Sequence, residues 1–88
     1  MHVQEYRDMI DSVMTMASDL KSCVGDEEKI AWGKRAEKLR LTAWSIKGTA
    51  KRSTDRDEAR MVRAMQLLDE AFHSVEHLLL GDRKLLGI

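Results

Sequence analysis

The chain has 88 residues, and its 15 Lys and Arg side chains balance its 15 Asp and Glu side chains to a formal net charge of zero. A chain of this length forms one domain at most, which excludes an enzyme with separate substrate and cofactor domains. Hydrophobic residues make up 43% and charged residues 34%, a composition typical of globular proteins. We therefore expect a single domain over residues 1–88.

The first predicted helix covers about residues 2–24. Its apolar residues alternate spacings of three and four from Val3 to Val24, the pattern of a heptad seam. Gly25 is predicted to end this helix in a left-handed conformation, and Asp26 to cap the N-terminus of the helix that follows.

The second and third predicted helices cover about residues 27–50 and 56–80. The second carries the same alternation from Trp32 to Ala50, and the third carries it from Met61 to Leu79. Polar residues at 53–55 mark the break between the two helices. The sequence therefore predicts three long helices joined by short connections.

Capping residues are predicted at both ends of the third helix, and a short C-terminal tail follows it. Asp55 and Glu58 are predicted to form a capping box at its start, and Gly81 is predicted to end it. The tail, residues 81–88, keeps three apolar residues, so we expect it to pack back on the bundle. These residues are Leu85, Leu86 and Ile88.

The predicted fold class is all-α. Pro and Asn are absent and Gly occurs five times, so the residues that hairpin turns favour are scarce. Three heptad-patterned helices with short connections predict an antiparallel up-down-up bundle.

Apolar residues outside the three seams predict a homo-oligomer. On the second helix Ile30, Leu41 and Trp44 lie opposite the main seam, and on the first helix Met9 and Met16 recur beside it. A helix that is apolar on two faces is usual at the centre of a larger bundle, so we expect these five residues at an oligomer interface. The alternative is that the second helix is the middle layer of its own chain.

The zero net charge hides a segregation along the chain. Basic and acidic residues number two and seven in residues 1–28, eleven and four in 29–63, and two and four in 64–88. Arginine forks and helix N-termini favour phosphate and carboxylate groups, so the corner between the second and third helices is the candidate partner-binding or anion-binding site. The alternative is that these cations pair with the acidic first helix or with neighbouring carboxylates. The candidates are Lys47, Lys51, Arg52, Arg56, Arg60 and Arg63.

One weak metal-site candidate lies on the third helix. Glu70, His73 and His77 are spaced i, i+3 and i+7, and a Glu-x-x-His pair is half of the arrangement in di-metal carboxylate bundles. Such sites need a second Glu-x-x-His and further carboxylates, so we favour a solvated polar face in which Glu70 pairs with His73. We expect neither a metal nor another cofactor. No catalytic triad is apparent, and we expect no enzymatic activity.

The sequence favours a non-enzymatic helical interaction module that acts as a homo-oligomer and binds another protein. By analogy at the level of fold alone, small helical domains of this kind serve as adaptors or inhibitors, including those encoded by phages and mobile elements. No apolar run approaches the roughly 18 residues of a membrane span, no signal-peptide pattern follows Met1, and Cys23 has no partner for an internal disulfide. These features predict a cytoplasmic protein without a membrane partner.

The alternative function is a binder or sequestering protein for a small phosphorylated ligand, such as a nucleotide or a cyclic oligonucleotide. The ligand would lie between protomers, with arginines on its phosphates and an aromatic side chain on its base. A panel of nucleotides that raises the melting temperature by several degrees would favour this alternative.

Overall fold

A computed structural model describes residues 2–47, 52 and 54–86, with side chains up to residue 81. Helix α1 spans Val3–Asp19, a 3₁₀ turn follows over Leu20–Ser22, α2 spans Gly25–Ile46 and α3 spans Asp55–Leu86. These residues contain no strand, so the predicted all-α bundle is confirmed. None of the described helices combines the length and the hydropathy that a membrane span requires.

The three helices run up, down and up. Ion pairs join Arg7 to Asp57 and Asp11 to Arg60. Because the later residue of α1 pairs with the later residue of α3, these two helices run in the same direction. Arg40 of α2 binds Asp69 of α3, whereas the earlier Gly33 lies against the later Leu79, so α2 and α3 are antiparallel.

Helix α3 is the central helix of the bundle. It packs along both α1 and α2, whereas α1 and α2 contact each other much less. The alternative prediction that the second helix is the middle layer of its own chain is therefore wrong. Because α3 takes that position, one face of α2 is left without cover from the chain.

The core follows the three predicted seams. Most seam residues are buried, with one clear exception: Val24 is 79% exposed, because the helix ends earlier and the chain is extended at this residue. Ala50 of the second seam lies outside the described residues. The core consists of Tyr6, Ile10, Val13, Trp32, Ala36, Ala43, Met61, Ala64, Leu68, Phe72, Val75 and Leu79.

Two contacts fix how closely α2 approaches its neighbours. The indole Nε1 of fully buried Trp32 donates to the Met16 carbonyl oxygen at 2.7 Å, which ties α2 to α1. A Cβ atom added at Gly33 would lie 2.9 Å from Cδ1 of Leu79, so the glycine allows α2 to approach α3.

The turn between α1 and α2 differs in part from prediction. Gly25 has the predicted left-handed conformation, with a φ of 78°, but it does not end the first helix: α1 ends at Asp19, the 3₁₀ turn follows it, and Val24 is extended. Gly25 is instead the first residue of α2 and Val24 is its N-cap, so the predicted N-cap at Asp26 is wrong. The Val24 N–H donates to Oε2 of Glu28 at 2.6 Å, so this glutamate supplies the capping interaction from inside the helix.

Helix α3 also begins and ends away from the predicted residues. Thr54 and Asp57, not Asp55 and Glu58, form the capping box, with reciprocal backbone-to-side-chain hydrogen bonds of 3.1 Å. The helix continues through Gly81, so the predicted end at this glycine is wrong. The predicted packing of the tail residues lies outside the described side chains. The residues concerned are Leu85, Leu86 and Ile88.

Candidate functional site

The predicted basic corner does not form one cluster of free cations. Arg60 pairs with Asp11 of α1 at 3.2 Å, the alternative arrangement that the charge pattern left open. Arg56 and Arg63 are exposed on α3 without a carboxylate partner among the described residues. Arg52 is exposed in a left-handed conformation with a φ of 64°, and Lys51 lies outside the described residues.

The first turn of α3 holds an ion pair that the sequence did not reveal. Nε and Nη2 of Arg7 donate to the two carboxylate oxygens of Asp57 at 3.1 and 3.2 Å. Asp57 is buried and also accepts the Thr54 N–H. The hydrogen bonds from Arg7, with those from Thr54, lower the pKa of the Asp57 carboxyl to about 2, and the same pair raises the pKa of Arg7.

A second bond strengthens this junction between α1 and α3. The hydroxyl of buried Tyr6 donates to Oε2 of Glu58 at 2.9 Å. Together with the Arg7–Asp57 pair, it ties the N-terminal end of α1 to the first turn of α3. These polar groups therefore hold the bundle together at this end.

The concavity at the basic corner is poorly suited to an anion. Its volume is about 470 Å³. The charges of Arg7 and Arg60 in its wall are already neutralised, the first by Asp57 in the same wall and the second by Asp11 of α1. A phosphate here would meet one uncommitted cation, Arg56, so the geometry does not favour a phosphorylated ligand at this position. The lining residues are Arg7, Thr54, Arg56, Asp57 and Arg60.

We predict that Asp57→Asn lowers stability most at neutral pH. Because the folded pKa of Asp57 lies below the ordinary value of 3.8, its charge stabilises the fold above pH 4 or so, and this contribution is lost as the pH falls towards about 2. Asparagine keeps the oxygen that accepts the Thr54 N–H but has no charge for Arg7. Urea unfolding of both proteins at several pH values measures the difference, which should shrink in acid. A difference that is the same at neutral and acid pH would contradict the role of the charge.

The predicted metal candidates are not gathered into a site. His73 Nδ1 lies 3.0 Å from Oε2 of Glu76, so its partner is this residue and not Glu70 as predicted. Glu70 and His73 line one concavity between α2 and α3, whereas His77 lines another beside the connection between α1 and α2. Within the described part of the chain, no three His, Cys, Asp or Glu side chains are arranged to hold a metal ion.

The five predicted interface residues divide into two groups. Met9, Met16 and Ile30 are half-buried and pack against the chain's own core. Leu41 and Trp44 remain 68% and 62% exposed on the uncovered face of α2. Of the five residues that predicted an oligomer interface, only these two neighbouring side chains remain exposed.

Four residues spaced three apart, which we call the α2 ridge, follow one another around the C-terminal part of α2 and its C-cap: Lys38, Leu41, Trp44 and Lys47. Successive members are turned by about 60° around the helix axis, so Lys38 and Lys47 lie on opposite flanks of the Leu–Trp pair. All four are exposed. The Lys47 ammonium lies over the Trp44 ring, 5.7 Å from its centroid. The ridge thus presents two large apolar side chains between two cations.

A depression of about 320 Å³ lies beside the ridge and is lined by Glu37, Arg40, Leu41 and Trp44. Arg40 binds Oδ1 of Asp69 at 2.6 Å and stacks 4.4 Å from the centroid of the Phe72 ring, so its charge is already matched within the chain. Sequence reasoning missed this residue, because its partners are on another helix about thirty positions away and no local sequence pattern connects them with Arg40.

Comparisons with known proteins add no resemblance: no family model, curated protein or solved structure matches this chain. Fold and surface together define it as a three-helix bundle whose second helix carries an exposed Leu–Trp pair flanked by lysines.

Proposed function

We propose that the chain is a non-enzymatic interaction module that binds another protein through the α2 ridge. One observation carries the proposal: Leu41 and Trp44 are neighbours on one helix and more than half exposed, on the part of α2 that the chain leaves uncovered. Tryptophan is among the residues most enriched at the energetic centres of protein interfaces. Side chains at i and i+3 on one helix are the usual anchors when a helix docks on a partner.

The phosphorylated-ligand alternative receives less support. The arginines that would hold the phosphates at the corner include Arg60, which is paired with Asp11. The exposed aromatic side chain for the base, Trp44, is on α2 and is already covered on one side by Lys47. We therefore expect a panel of nucleotides to leave the melting temperature unchanged.

Site-specific crosslinking tests the proposal. We expect Leu41→benzoylphenylalanine, introduced in the source cells, to give a discrete photo-crosslinked adduct with another polypeptide, because position 41 lies next to the Trp44 anchor. The matched control places the same photoreactive residue at Thr15, which is exposed on α1, away from the α2 ridge. Mass spectrometry of the adducts identifies the partner segment.

Two results of this experiment would contradict the proposal. The first is the absence of any adduct from position 41. The second is the same set of adducts from positions 41 and 15, which would reflect abundance and not a specific surface.

A further inference from the structure

The lysines beside the Leu41–Trp44 pair restrict which kind of partner is able to bind there. A partner that packs on Trp44 comes close to Lys47, because this ammonium lies over one face of the ring. Burying a cation without a compensating negative charge is costly. Neither Lys38 nor Lys47 has a carboxylate partner within the described residues, so the compensating charge has to come from the partner.

A second copy of the chain is a poor occupant of the α2 ridge. A pair of α2 helices joined through Leu41 and Trp44 brings four lysines to the edges of one interface, Lys38 and Lys47 from each copy, and the ridge carries no carboxylate to offset them. Like charges gathered at an interface oppose association.

The exposed apolar area is also small for a homodimer. A stable interface buries roughly 800 Å² per partner, and two partly exposed side chains supply only a fraction of that area. The α2 ridge is thus better matched to a smaller, transient contact in which opposite charges add to the attraction.

We infer that the α2 ridge binds an acidic amphipathic helix of a partner protein. The apolar side chains of this helix would pack on Leu41 and Trp44 and fill the adjoining depression, and its carboxylates would lie against Lys38 and Lys47. Other acidic groups near the site do not satisfy these lysines: Glu37 is half-buried and already engaged within the chain, and Asp69 binds Arg40. This inference rests on the proposed function and names the partner chemistry of the same surface.

Binding of two synthetic peptides tests the inference. Both contain three heptads with leucine at positions a and d; the acidic peptide carries glutamate at positions e and g, and the basic peptide carries lysine there. We expect calorimetry with the full chain to give a micromolar dissociation constant for the acidic peptide, at least about tenfold tighter than for the basic one. Added salt should weaken the binding of the acidic peptide.

Charge reversal locates the binding site. The double variant Lys38→Glu with Lys47→Glu should bind the acidic peptide at least about tenfold more weakly, because repulsion replaces attraction. The control, Arg56→Glu with Arg63→Glu, makes the same change in net charge at exposed positions of α3 and should change the affinity by less than about threefold. Circular dichroism should show that both variants keep their helices.

Three results would overturn the inference: no binding of the acidic peptide, equal affinity for both peptides, or equal weakening by the two charge reversals. If any of these occurs while position 41 still crosslinks specifically, the partner chemistry is wrong and the interaction surface stands. If specific crosslinking also fails, the proposed function fails with it.

Discussion

Trp32→Ala is expected to lower the free energy of unfolding by about 3–5 kcal/mol, the range for removing a large aromatic side chain from a core. Trp32 is fully buried, and its indole N–H bonds the Met16 carbonyl, so the substitution opens a cavity and removes a tie between α1 and α2. Small domains have roughly 5–15 kcal/mol of stability in total, so this loss is a large fraction of it. We expect the melting temperature to fall by about 20 °C.

The chain supplies its own matched control for this prediction. Trp44 lies on the same helix, and Trp44→Ala removes the same atoms from an exposed position. Thermal unfolding followed by circular dichroism compares the two variants. Similar melting temperatures for both would contradict the assignment of Trp32 to the core and Trp44 to the surface.

Trp44→Ala is expected to weaken binding of the acidic helical peptide by about 10- to 100-fold, the effect of removing a central interface anchor. Its effect on stability should stay within about 0.5 kcal/mol, because the side chain packs against little of the chain's own core. Calorimetric titration and thermal unfolding of the same sample separate the two quantities. Unchanged affinity in a normally stable variant would show that this tryptophan is not the anchor.

Heptad periodicity predicted the helices and most of the core. Burial of Tyr6, Ile10 and Val13 on α1 follows from the seam, because residues three or four apart lie on one face of a helix. The exposed Leu41 and Trp44 were also predicted as a separate apolar face. These properties depend on spacing along one helix, so the sequence contains them directly.

The arrangement of the helices was not available from periodicity. All three helices carry an apolar seam, so the pattern did not indicate that α3 is central and that one face of α2 is left uncovered. The Arg7–Asp57 pair joins residues fifty positions apart and has no local signature. Charge segregation predicted attraction between the first helix and the basic segment, but it did not indicate which arginine would form an ion pair with that helix.

Helix ends were predicted less well than helix faces. Thr54 caps α3 in place of Asp55, a shift of one residue among several polar residues that are all able to cap a helix. Gly81 lies within α3, since a glycine is tolerated in a helix where the chain continues with helix-forming residues. Local capping signals therefore did not fix the first and last residues of the helices to within one residue.

The accessibility of Trp44 in the isolated chain most directly tests the central claim, that α2 presents an uncovered ridge to a different protein. Fluorine NMR of the fluorotryptophan-labelled chain gives one resonance for each tryptophan, and Trp44→Phe assigns them. We predict that the Trp44 resonance shows a solvent isotope shift at every protein concentration, whereas the Trp32 resonance shows none. A Trp44 resonance that loses this shift as the protein concentration rises would contradict the claim, because a second copy of the chain would then cover the α2 ridge.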